Sequence, residues 1–132
     1  WAQAEYAARS SAVDYAKSVA AAAMFRRALA QWWHGGFDLL LTPTLARIPF
    51  PVGSFTNDPS DPMKPSRLAS EWVRFTAQFN MSGQPAISLP CGLSSQGLPM
   101  GVQIVGPMFG DALVLRAARA YESVQPVVRP KL

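Results

Sequence analysis

Residues 2 to about 33 are dominated by Ala, Arg, Gln and other good helix formers, with no Pro or Gly before Gly35 and Gly36. This pattern predicts a long helical stretch that the glycine pair stops. The larger apolar side chains Tyr6, Val13, Val19, Phe25, Leu29, Trp32 and Trp33 do not hold a single 3.6-residue period, so Ser10-Ser11 is the candidate break or bend. The run FDLLLTP at 37–43 is short, apolar and bounded by Gly and Pro, which predicts a buried strand. From Pro43 to Pro65 the chain carries six prolines and no periodicity, and residues 45–66 read as a long Pro-rich loop. A second helix is expected from an N-cap at Ser66 through Trp72, Val73, Phe75, Thr76 and Phe79, ending near Asn80 to Gly83 with Pro85 beyond. AISLP at 86–90 and GVQIV at 101–105 predict two strands joined by a Gly- and Ser-rich hairpin connection. Asp111 is the expected N-cap of a last helix whose Val114, Ala118 and Tyr121 share one face, and the Pro-containing tail after Ser123 is expected to be extended or frayed.

The order helix, strand, loop, helix, strand, strand, helix predicts an α/β or α+β domain: a mixed sheet of about three strands flanked by helices. The first two strands, joined through a helix, are expected to run parallel, and the last two to pair antiparallel. Apolar edge strands in so small a sheet call for cover, from a partner or from further chain. The chain also opens on Trp1 inside a helical pattern, which reads as one partial domain, residues 1–132, of something longer.

Composition narrows the chemistry. The 132 residues, 49% of them hydrophobic, suffice for a core without disulfides. One Cys and one His cannot complete a zinc site, the eight carboxylates are dispersed, and no phosphate-binding Gly loop precedes a helix, so neither metal nor cofactor is expected. Asp58 and Asp61 read as a solvated turn. The net charge of +4 comes from scattered basic residues with no aromatic-interleaved stripe, and nucleic acid is not an expected partner. No apolar run reaches the roughly 18 to 20 residues of a membrane span, and charges interrupt the Ala-rich start. The cytoplasm is the default compartment. His34 sits where a helix dipole favours a protonated imidazole, and Cys91 between Pro90 and Gly92 is either a small buried residue or an activated thiol.

Four segments carry a resemblance that extends from Phe37 to Glu122: FDLLLTPT at 37–44, FTAQFNMSGQPAISLPCG at 75–92, GLPMGVQIVGP at 97–107, and the helix opening at Asp111. Within them Asn80, Gly83, Pro85, Ala86, Pro90, Gly97, Pro99, Gly101, Gln103 and Gly106 stand where the C-terminal region of the amidase signature family has them; Asp111 replaces the family's usual Glu. The chain resembles that region of these serine hydrolases, which cleave carboxamides. The resemblance implies the C-terminal part of a large mixed sheet surrounded by helices. It also implies a mechanism in which a Lys, through a second Ser in cis-peptide linkage, activates a Ser nucleophile.

In that family the two serines belong to a Gly/Ser-rich segment well upstream of the matching region. The lysines here are Lys17, Lys64 and Lys131, and the serine pairs Ser10-Ser11 and Ser94-Ser95 lack that context, so no catalytic residue is assigned. The resemblance implies a role in the substrate pocket, because the family helix leading into the Asn80 turn lines the acyl side of the cleft. Ser70, Val73 and Ala77 form a stripe at i, i+3 and i+7 with Trp72 adjacent, and are either substrate-binding or plain core; the loop 45–66 is either a pocket rim or a linker. The leading expectation is the C-terminal portion of an amidase, inactive alone, whose partners are a small-molecule amide and the missing N-terminal part. A non-catalytic module that self-associates through its sheet edges as a homo-oligomer, and a thiol enzyme using Cys91, stay open as alternatives.

Overall fold

A computed structural model of the chain describes residues 2–54 and 71–129. Helix α1 (Ala2–Arg9) and helix α2 (Ala12–Trp33) are separated at the serine pair. Ser11 adopts an extended backbone and caps α2: its hydroxyl accepts the Asp14 N–H at 3.1 Å, while the Asp14 carboxylate accepts the Ser11 N–H and hydroxyl at 3.1 and 2.6 Å. This reciprocal box satisfies two of the N–H groups that a helix start leaves without partners, so the drift in period is resolved by starting a new helix. At the other end His34 is the C-cap, and Gly36 takes a left-handed φ of 94°. Trp32 stacks on Phe37 at 4.6 Å, turning the chain back toward the sheet.

Strands β1 (Leu40–Pro43), β2 (Ala86–Leu93) and β3 (Pro99–Val105) form a sheet in the order β1-β3-β2, with β3 antiparallel to both neighbours. The first two strands therefore point the same way, as expected, but they do not pair, because the β2–β3 hairpin leaves the free edge of β3 for β1. The hairpin turn is held by the Ser94 N–H to Leu98 carbonyl bond at 2.8 Å, with Gly97 at φ 74°. The β2–β3 register slips between Pro90 and Gly92, which places Cys91 in a bulge.

Alternation along β3 sends successive side chains to opposite faces, and both faces are covered. Val105, fully buried, packs with Trp33 of α2 and with Phe79, and Leu29 and Leu40 join them. Ile104 packs on the other face with Leu89 and with Ala118 of helix α4 (Asp111–Val124); Ile87, Val102 and Tyr121 lie around them. A Cβ added at Gly106 would sit 2.6 Å from the Val114 methyl Cγ2, so the glycine sets how closely α4 approaches the sheet. The cap of α4 is Gly110 rather than Asp111. Asp111 is the first helical residue and makes no side-chain cap bond, so its contribution is a negative charge at the positive end of the helix dipole.

The segment before β2 departs from the expected continuous helix. Glu71 and Trp72 are helical, residues 73–76 form turns, and helix α3 (Ala77–Ser82) follows, closed by Gly83 at φ 82°. The expected cap at Ser66 lies outside the described residues. At the break the Thr76 N–H bonds to the Val73 carbonyl at 3.1 Å and the Trp72 carbonyl accepts from the Ala46 N–H at 3.4 Å, while the Phe79 N–H bonds to the Thr76 carbonyl at 3.1 Å and the Phe75 carbonyl accepts from the Gln103 side chain at 2.8 Å. Among the described residues no helix is long and apolar enough to cross a membrane.

These contacts have measurable consequences. Gln103 is 5% exposed, and its Nε2 donates both to the Phe75 carbonyl and to Thr42 Oγ1 at 3.0 Å. Gln103→Leu orphans both acceptors and should lower stability by about 1–3 kcal/mol in urea unfolding; an unchanged midpoint would contradict this role. The Asp14 carboxyl is held below its ordinary value of 3.8 by the hydrogen bond from the Ser11 side chain and then by that from the Ser11 backbone. Because the folded value is depressed, the contribution of the box is complete above the ordinary carboxylate range and is lost as pH falls through the folded value. Ser11→Ala should return the Asp14 midpoint, followed by carboxyl ¹³C NMR, toward its ordinary value.

Candidate functional site

At the end of the sheet where β1 stops and β3 begins, a groove of about 840 Å³ opens. One wall is the loop from Leu45 to Phe50, and the opposite wall is Trp72 and Phe75. Met100 and Val102 of β3 line it too, joined by Cys91 from the bulge in β2 and Tyr121 from α4.

Local geometry explains why the chain leaves the sheet in this direction. The Thr44 N–H donates to the Gly101 carbonyl at 2.8 Å, and the Thr44 and Ser88 hydroxyls meet at 2.7 Å above Gly101. A Cβ at position 101 would lie 2.8 Å from Thr44 Oγ1, so only glycine leaves room for this crossing. The loop is then fastened to the opposite wall. The Ala46 N–H bonds to the Trp72 carbonyl at 3.4 Å, and Arg47 donates from Nη2 and Nε to Glu71 Oε2 at 2.7 and 3.0 Å. Phe50 meets Trp72 edge to face at 5.6 Å. Phe75 is held in place by its carbonyl bond to Gln103.

Arg47, the one charged side chain of the groove's lining among the described residues, is paired with Glu71. Among those residues no group of three or more His, Cys, Asp or Glu is placed to hold a metal ion.

Of the residues singled out from sequence, Trp72 lines this groove, whereas Val73 and Ala77 are exposed and outside its lining. Ser70 lies outside the described residues, as do Asp58, Asp61, Lys64 and Lys131. Asn80 is exposed on α3, and His34 caps α2. The serine pairs have local structural duties: Ser11 caps a helix, and Ser94 Oγ accepts from the N–H groups of Gln96 and Leu98 at 3.2 Å. Lys17 lies on an exposed stretch of α2. Among the lining residues that sequence reasoning did not assign to a pocket are Phe75, Cys91, Met100, Val102 and Tyr121. Their signal was weak, since each is a single position whose neighbours in the groove are distant in sequence.

Comparison with known proteins places this geometry in a family. The family model described as Amidase matches residues 1–115. The 6-aminohexanoate-cyclic-dimer hydrolase of Paenarthrobacter ureafaciens is 39% identical over 109 residues, covering 77% of this chain and 22% of the relative. A glutamyl-tRNA(Gln) amidotransferase subunit of Clostridium acetobutylicum is 43% identical over 86 residues, covering 65% of this chain and 16% of that relative. Among solved structures, a 6-aminohexanoate cyclic dimer hydrolase complexed with substrate superposes with a TM-score of 0.84 at 32% identity, over 96% of this chain and 28% of that one. A bacterial aryl acylamidase of the amidase signature family superposes with a TM-score of 0.73 at 30% identity, over 92% of this chain and 25% of that one. The chain thus matches only 16% to 28% of the length of these relatives and corresponds to a C-terminal part of them. By family model, sequence and fold alike, the chain belongs to the amidase family.

Proposed function

We propose that this chain is the C-terminal portion of an amide-hydrolysing enzyme of the amidase signature type, that it supplies fold and one wall of the substrate pocket, and that it is inactive alone. The observation that carries this reading is the superposition of nearly the whole chain on a substrate-complexed hydrolase of which it covers 28%. The relatives' names, a cyclic-dimer hydrolase, an aryl acylamidase and an amidotransferase component, support a small carboxamide as the substrate. Trp72 is the proposed contact on the groove side, and Ser70, Val73 and Ala77 are proposed to face substrate from the same segment once the rest of the fold stands against it.

The serine chemistry then comes from elsewhere in the enzyme. In such a mechanism a neutral Lys draws the proton from the nucleophile through the second Ser, and backbone N–H groups hold the oxyanion. Here Ser11 and Ser94 are committed to a helix cap and a turn. The exposed apolar side chains of α2, among them Val13, Val19 and Met24, suit association with the rest of an amidase fold. A single free thiol, Cys91, suits a reducing compartment, and we assign the protein to the cytoplasm. A second reading, self-association of the isolated chain, is favoured by one observation: Leu41 on the edge strand β1 is 59% exposed.

A fluorophosphonate serine probe tests the inactivity directly. The 132-residue chain should remain unlabelled under conditions that label an intact amidase. Covalent labelling that disappears on mutating one serine would overturn the reading.

A further inference from the structure

We draw no further inference here: the strongest candidate, the exposed apolar face of helix α2 that carries Val13, Ala16, Ala20 and Met24, repeats the association with the rest of an amidase fold already proposed, and nothing in the structure shows which segment covers it.

Discussion

The side-chain amide of Gln103 holds together the parts of this molecule that matter for function. It sits on the central strand, buried, and its Nε2 reaches Thr42 on the neighbouring strand and the Phe75 carbonyl on the segment that precedes α3. A buried donor of this kind is stable only when both partners are in place. The Phe75 carbonyl that meets it lies in the turns at 73–76, where the Trp72 carbonyl accepts from Ala46 as well, and Trp72 and Phe75 lie along the groove. One hydrogen-bond requirement thus links the register of the sheet to the shape of the site.

The rest of the architecture serves the same strand. β3 pairs on both edges and packs on both faces, so Ile104 and Val105, adjacent in sequence, anchor two separate apolar clusters. At its start Gly101 leaves space for the Thr44–Ser88 hydroxyl contact and lets the loop cross the sheet end; at its finish Gly106 lets α4 approach. The two glycines act at opposite ends of one strand, the first shaping the groove and the second the core. By contrast α2 contributes Trp33 as its only buried side chain, and most of its length stands clear of the sheet. That exposure is what a helix would show if its partner surface lay in another part of a larger amidase fold.

Much of this was legible in the sequence where the cause is local. The apolar run before Pro43 forms β1, although from Leu40 only and as a half-exposed edge strand where a buried one was expected; the drifting helical period marks Ser10-Ser11 as a break, and Gly83 ends α3 in a left-handed turn. Strand order was not legible, because an apolar pattern says which face of a strand is buried but not which edge it joins. The groove was legible only in part. Arg47 and Glu71 are 24 residues apart and Phe75 and Gln103 are 28 apart, so the contacts that build its walls leave no periodic trace. The Ser70, Val73 and Ala77 stripe assumed an unbroken helix, and between Trp72 and Ala77 the carbonyls of Trp72 and Phe75 instead bond to Ala46 and Gln103, partners distant in sequence.

The most direct test of the account is a transplant. Replacing the aligned 109-residue stretch of the Paenarthrobacter ureafaciens hydrolase with the matching part of this chain joins it to the rest of a related enzyme. The account predicts a folded chimera that hydrolyses a small amide and is labelled by a fluorophosphonate, with the labelled serine in the hydrolase-derived part. A folded chimera that takes the label but turns over no amide, or one labelled on a serine of this chain, would contradict it.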